Sequence, residues 1–375
     1  MERYFPQKLL IEGSAENLPL TRTIIKRLEG VPLEYVQGVT PGFLDLTGDE
    51  QTNGQNTLLL AVNKGRFFEP CPGTKHYLCC MYTILNFASN CHLNCTYCIL
   101  QAYLNNPYMV FYTNTDDMLK ELDKTFDGHL NTLFRVGTGE YTDSLILDHL
   151  TSFTRLIVPY FANKPNGFLE LKTKTDSIEN LEGLEHGGKT IVSWSLNAEP
   201  VVRSEEKHAC SLESRIRAAS QCQQWGYKVG FHFDPLIYYT GWEEDYKEVI
   251  EKIFDSIDPS SLVWISMGCF RFMPKLKPIL TRRFPESRIL YQEFVRGLDG
   301  KMRYFQPIRI AMYSRMAEWI RSASPKAFIY LCMESEEVWQ KSLGFAPRSN
   351  QDLRSMLDRQ CSAGRVMGKL PRVSS

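Results

Sequence analysis

The sequence predicts an α/β fold, a partial (βα)6 barrel with an N-terminal extension and a C-terminal region of β-hairpin and helix. Three observations predict it. Short runs of apolar and β-branched residues recur at 82–89, 132–137, 168–174, 190–197, 228–237 and 262–270, each of strand length and each followed by room for a crossover helix. Helical spacing of apolar residues marks the gaps, most clearly at 143–161, where Leu145, Leu147, Leu150, Phe153 and Ile157 recur, and again at 205–225 and 243–257. Past Phe270 the alternation stops, so a closed eightfold barrel is not supplied, although 375 residues are ample for one large core.

Around that core the chain divides into an N-terminal region packing on it (1–75), the barrel (76–285), a hairpin and helix region (286–345) and a loose basic tail (346–375). Two β-capable runs, 288–298 and 301–310, flank Asp299-Gly300, the dipeptide that a two-residue type I′ hairpin turn favours. A helix over 311–322 follows, then a strand at 327–332, then a short helix at 336–343 with Ser335 as its N-cap.

Composition excludes more than it selects. Lys+Arg and Asp+Glu both number 43, so there is no general attraction to nucleic acid or to an anionic membrane, and any such contact has to come from a local patch. No window approaches the run of about 18 apolar residues that a membrane span needs, and the N-terminus MERYFPQKLLIEG lacks a signal layout. A cytoplasmic location is expected. Eleven cysteines, six of them between Cys71 and Cys98, then read as reduced thiols and raise the question of metal binding.

Cys91-x3-Cys95-x2-Cys98 directly follows the first strand, so its thiols fall at the rim where such sheets place their active sites. Three clustered thiolates without an obvious fourth suit an iron–sulfur cluster with one iron open to a small chelating ligand. A zinc site, with His92 or a distant cysteine as fourth ligand, is the alternative reading of the spacing alone. Gly137-Thr138-Gly139-Glu140, at the end of the second strand, lets backbone approach a ligand and offers a carboxylate to an ammonium group.

The triplet, with Tyr97 before its last cysteine, resembles the signature of the radical S-adenosylmethionine (SAM) superfamily, and the chain from about Phe5 to Met333 resembles spore photoproduct lyase, a family that reverses a thymine-dimer lesion. The resemblance is carried by 90–101, Asp148-His149-Leu150-Thr151, Lys174, Ser195-Leu196-Asn197, 226–231 and Lys301-Met302-Arg303-Tyr304. It implies a radical SAM barrel and a [4Fe–4S] cluster on Cys91, Cys95 and Cys98 that cleaves SAM to a 5′-deoxyadenosyl radical. It further implies SAM contacts from Lys174 and Ser195, a catalytic Tyr97, and a DNA-contacting hairpin that includes Arg303 and Tyr304. A reductant such as flavodoxin or ferredoxin is the implied partner, with DNA or a nucleotide as substrate.

Two positions depart from the family. Where it carries a hydrogen-donating cysteine this chain has Glu140, which resembles instead the glutamate by which many radical SAM enzymes bind the amino group of SAM; where it carries a second tyrosine this chain has Ile99. Among the remaining thiols, Cys269 ends the sixth strand, where a barrel-mouth residue belongs. The chain is therefore expected to be a lesion lyase, or a radical SAM enzyme of the same lineage acting on another nucleotide or small metabolite. A non-catalytic, metal-bearing nucleic-acid-binding protein is the remaining class.

Overall fold

The structure, a computed structural model, describes residues 3–37 and 54–362. The expected N-terminal region at 38–53 and the expected tail at 363–375 lie outside the described residues. The six apolar runs form the body of one curled eight-stranded sheet. In chain order, which is also the order in space, its strands are β1 (Phe68–Pro70), β2 (Thr83–Leu85), β3 (Phe134–Gly137), β4 (Gly167–Thr173), β5 (Thr190–Ser195), β6 (Lys228–Leu236), β7 (Leu262–Cys269) and β8 (Ile329–Leu331). From β2 to β8 every pairing is parallel, and only β1 lies antiparallel at the edge. The fold is thus the expected half-barrel, extended by β8 on one side and β1 on the other.

Strand alternation sorts side chains between the two faces of the sheet. In β4, Leu169, Leu171 and Thr173 are buried, while Glu170 and Lys172 are half-buried, as is Lys174 just beyond it. The crossover helices lie between successive strands, among them Phe153–Ala162, Leu212–Gln224 and Trp242–Ser256.

A second sheet explains how the N-terminal region is attached. Lys8–Glu12, Leu33–Val36 and Thr57–Ala61 pair in parallel, and Met109–Tyr112 and Ala88–Ser89 complete the sheet from within the range expected for the barrel. The run at 82–89 is therefore split: Thr83–Leu85 belongs to the barrel and Ala88–Ser89 to the second sheet. The cysteine loop begins at the next residue, anchored where the two sheets meet.

Several expected elements are corrected. The helix at 143–161 starts only at Asp148 and is broken at Ser152, which has φ +52°, because the Asp143 carboxylate accepts from the N–H groups of Leu145, Ile146 and Lys174 and holds a turn there. The helix at 205–225 is two helices, Glu199–Glu205 and Leu212–Gln224. Ser211 caps the second by accepting from the Ser214 N–H at 3.2 Å.

The C-terminal hairpin pairs Val295–Arg296 with Met302–Arg303 only, and the residues expected to continue its second strand open the helix Gln306–Ala323, with Pro307 in its first turn. Its loop is not the expected two-residue turn. Gly300 N–H donates to Gly297 O at 3.0 Å and Gly297 N–H to Lys301 O at 2.8 Å, with Gly300 at φ +80°, the three-residue loop of a type I turn followed by a left-handed glycine. Ser335 caps its helix as expected, accepting from Val338 N–H at 3.3 Å.

The tail also departs from expectation, since Asn350–Ser362 is a helix whose Leu353, Leu357 and Cys361 are 0% exposed. Among the described residues no helix is long and apolar enough to cross a membrane. Leu357→Ala is expected to lower unfolding stability by about 2–5 kcal/mol through the cavity it leaves; an unchanged denaturation midpoint would contradict a packed helix.

Candidate active site

The cysteine loop is held by backbone and amide contacts before any ligand is considered. Asn90, at φ +73°, accepts from Cys91 N–H (2.8 Å) and donates to Pro107 O (2.8 Å), which turns the chain sharply out of the second sheet. Asn94 takes a second left-handed conformation at φ +50°, and Arg283 donates to its side-chain oxygen at 2.8 Å. Gln101 donates to Cys95 O and Thr96 O, and Gln55 to Cys91 O.

From the other side the short link after Glu199–Glu205 clasps the loop. Thr96 N–H donates to Glu205 O at 2.8 Å, the Thr96 hydroxyl to the Glu205 carboxylate, and the Tyr97 hydroxyl to the Glu206 carboxylate. Arg215 pairs with Glu206 at 2.5 Å and also donates to Ser195 O at 3.0 Å and to Cys210 O at 2.9 Å. The interruption of the expected helix at 205–225 thus has a use: an unbroken helix would tie the Glu205 carbonyl into its own hydrogen bonding and withhold it from Thr96.

Cys91, Cys95 and Cys98 line one cavity of about 210 Å3, together with Glu140, Lys174 and Ser195. The structure therefore brings together the thiols and all three residues expected to contact SAM. Lys174 lies with its ammonium 5.6 Å from the centre of the Tyr97 ring. Glu140 accepts from the Tyr82 hydroxyl.

Burial pushes the Cys95 thiol up to about 12, although Lys174 pulls it down. Burial, then the Asp143 carboxylate, raises Cys91 well above the usual thiol range. Metal ligation requires thiolates, so in this dry loop the three sulfurs need a strongly cationic centre among them. Among the described residues no three His, Cys, Asp or Glu side chains converge as the ligands of a single ion. Three thiols lining one cavity suit an iron–sulfur cluster, in which each thiolate binds its own iron.

A second cavity of about 280 Å3 continues from the first, sharing Tyr97, Cys98, Glu140, Lys172, Ser195 and Asp234. The inside of the barrel is charged, which the sequence reading missed. His232 donates from Nε2 to Glu170 at 2.7 Å, and its Nδ1 shares a hydrogen bond with the Ser266 hydroxyl at 2.6 Å. Burial pushes Glu170 up, but His232, Ser193 and Lys172 outweigh it and hold the carboxyl at about 2. Arg271 makes a bidentate pair with Asp234, both contacts 3.0 Å. Polar residues at alternate positions of otherwise apolar strands, Glu170 with Lys172 and His232 with Asp234, are the signal that would have found them.

Arg303 and Tyr304, expected to face DNA, are turned inward. Arg303 is 2% exposed, pairs with Asp299 at 2.7 Å and lies over the Tyr77 ring; Tyr304 is 0% exposed, and its hydroxyl accepts from Tyr238 N–H at 3.2 Å. Arg309 is likewise buried against Glu334 at 2.9 Å. Basic residues of this hairpin satisfy buried carboxylates, and its outer surface is left to Arg296, Val295 and Leu298. Cys269, expected at the barrel mouth, is buried with its sulfur 3.8 Å from that of Met312 and lines neither cavity.

Comparison with known proteins identifies the family and the fold. A family model described as spore photoproduct lyase matches residues 4–330. The chain is 26% identical over 343 residues to spore photoproduct lyase of Bacillus subtilis (strain 168), covering 87% of this chain and 98% of the relative. It is 25% identical over 301 residues to the enzyme of that name from Geobacillus sp. (strain Y412MC61), covering 77% and 85%. A solved cysteine-to-alanine variant of spore photoproduct lyase shares the fold at a TM-score of 0.80 and 23% identity, covering 88% of this chain and 100% of that one. A solved double variant described with bound AdoMet, which is SAM, and dinucleoside spore photoproduct aligns at a TM-score of 0.79 and 23% identity.

Cys95→Ala is expected to abolish iron–sulfur reconstitution, read as loss of the brown chromophore and of bound iron and sulfide, with the apo-protein still folded by circular dichroism. Iron content equal to that of the unsubstituted chain would refute the assignment.

Proposed function

From the premise that the chain belongs to the spore photoproduct lyase family, a family of radical SAM lyases, we propose that it restores thymines from the spore photoproduct in DNA. The observation that carries this reading is the single cavity into which the three cysteines, Glu140, Lys174 and Ser195 all face, continued by a second cavity inside the barrel. Solved relatives described with AdoMet and with dinucleoside spore photoproduct support the same pairing of cofactor and lesion.

In this reading Cys91, Cys95 and Cys98 hold the [4Fe–4S] cluster, and Lys174, Ser195 and Glu140 hold SAM. Once bound, the pair supplies a 5′-deoxyadenosyl radical that takes a hydrogen atom from the substrate. Glu140 offers a carboxylate to the SAM ammonium group through a charge-assisted hydrogen bond, and its hydrogen bond from Tyr82 fixes the direction of that carboxylate. Tyr97 lines both cavities, held by Glu206 and covered by the Lys174 ammonium. Buried apolar and paired polar walls exclude water, which protects a radical from side reactions.

DNA meets the exposed edge of the hairpin at Arg296 and Leu298, the latter 75% exposed, while Arg303 and Tyr304 support that edge from beneath. A low-potential flavodoxin or ferredoxin supplies the electron, and the cytoplasm supplies the reducing setting. The charged inner wall of the barrel favours one second reading, a radical SAM enzyme of the same lineage acting on another nucleotide or a small metabolite.

Anaerobic reconstitution is expected to give a brown protein that releases 5′-deoxyadenosine from SAM and restores thymine in an oligonucleotide bearing the photoproduct. SAM cleavage without restoration would overturn the lesion reading and leave the second. Glu140→Ala is expected to weaken SAM binding at least tenfold by equilibrium dialysis, with iron content unchanged; unaltered affinity would remove Glu140 from the SAM site.

A further inference from the structure

Removing hydrogen from a substrate leaves a carbon radical, and Glu140 stands where the family places a thiol to quench it. A carboxylate has no hydrogen atom to give. Besides the cluster cysteine Cys98, three further thiols nonetheless line the inner cavity, those of Cys71, Cys80 and Cys332.

Of the three, Cys332 is held for donation. It directly follows β8, and its N–H donates to Met267 O at 2.8 Å, which fixes it at the barrel rim. Its thiol lies beside the Asp234 carboxylate, and Arg271, already bidentate on Asp234, donates to the sulfur at 3.6 Å. Burial and then the Asp234 charge push its pKa well above the usual range, against the pull of Arg271, so the group stays S–H. The thiols of Cys71 and Cys80 are each engaged with Cys79.

A second observation points into the same cavity. The Lys172 ammonium lines it and, among the described residues, makes no hydrogen bond or ion pair, while Glu140, Glu170 and Asp234 lie near enough to hold it charged against burial. Three N–H donors are thus open to a carbonyl oxygen of a pyrimidine ring, on the side of the barrel that also presents Cys332.

We infer that Cys332 is the hydrogen donor that quenches the substrate radical in this chain, an inference that rests on the lyase reading above. The S–H bond of Cys332 breaks homolytically, a C–H bond forms on the substrate, and the unpaired electron stays on Sγ. The sulfur regains a hydrogen atom from the methyl group of 5′-deoxyadenosine, which had gained one from the substrate, so no external oxidant or reductant enters.

The test gives dinucleoside spore photoproduct and SAM, in deuterated buffer, to the reconstituted full-length chain and to its Cys332→Ala, Cys332→Ser, Cys80→Ser and Cys71→Ser variants. The unsubstituted chain is expected to place one solvent-derived deuterium in the restored thymine. Both Cys332 variants are expected to lose at least tenfold in restoration while keeping iron content and SAM affinity, and the Cys80 and Cys71 variants to keep restoration and label. A separate readout needs no turnover: the infrared S–H stretching band that Cys332→Ala removes is expected in the unsubstituted chain at neutral pH and is expected to shift when the dinucleoside photoproduct is added. Labelled thymine at the full rate from Cys332→Ala overturns the inference, as does loss of restoration in Cys80→Ser or Cys71→Ser alone. A chain that cleaves SAM but leaves the photoproduct intact overturns the lesion reading instead; the S–H band then decides the cavity assignment, and a band that the added photoproduct leaves unshifted overturns that.

Discussion

Glu206 and Arg215 form an ion pair 2.5 Å long with neither side chain exposed, and the cysteine loop is fastened to the barrel through it. Two buried charges are costly to desolvate, and they persist where further hydrogen bonds use up their remaining donors and acceptors. Here they do so in large part: the carboxylate also takes the Tyr97 hydroxyl, and the guanidinium also reaches Ser195 O and Cys210 O, which leaves Glu206 Oε2 and Arg215 Nη2 to face each other. Breaking such a pair by removing one partner costs about 3–5 kcal/mol, a cost that falls on the loop bearing three thiols, on the end of β5 and on the start of Leu212–Gln224 together. Burial pushes Glu206 up, but Arg215 first and Lys174 second keep it below its ordinary range, so the clasp stays charged at neutral pH. The cluster loop, the Lys174 ammonium and the Ser195 backbone therefore hold their positions as a set.

The second constraint is electrostatic and lies deeper in the barrel. Every strand contributes alternate side chains to the inside, and from β4 and β6 these are Glu170, Lys172, His232 and Asp234. Such a wall is stable only when its charges are matched. Glu170 is matched by His232, Ser193 and Trp264, and Asp234 by Arg271. Lys172 is held by the longer-range field of Glu140, Glu170 and Asp234, and among the described residues its ammonium makes no hydrogen bond. That distinction, between a charge balanced by field and a donor satisfied by contact, separates a ligand-facing lysine from a structural one.

How much of this was legible in the sequence follows from how local each signal is. The barrel strands were readable because each is a buried run whose composition alone marks it, and the triplet because cluster chemistry fixes residue type and spacing. Elements whose form is set by distant partners were not. The helix expected at 205–225 is broken where the Thr96 N–H, more than a hundred residues earlier, takes the Glu205 backbone carbonyl. The run at 301–310 read as a strand because it is rich in Met, Tyr, Ile and Arg, yet its arginines answer Asp299 and Glu334 and its Pro307 opens a helix. Basic and aromatic content suggested a nucleic-acid face on the hairpin; burial assigned those side chains to carboxylates instead. The tail at 350–362 looked polar overall, and only the spacing of Leu353, Leu357 and Cys361 marks its packed side.

Position 140 lies where the two constraints meet. Its carboxylate faces both the cavity of the cysteines and the charged cavity behind it, fixed by Tyr82 and balanced at a distance by Lys172. An uncompensated carboxylate there would repel the Asp234 and Glu170 charges of the inner wall, and the Lys172 charge offsets that repulsion. A thiol at 140 needs no such partner. Exchanging a neutral hydrogen donor for a carboxylate therefore alters more than one side chain: it calls for a cation in the adjoining cavity and leaves the quenching of a substrate radical to another thiol. Cys332, kept protonated by its burial and by Asp234, lies on the same charged wall, so the change at one end of the cavity and the thiol at the other belong to one electrostatic arrangement.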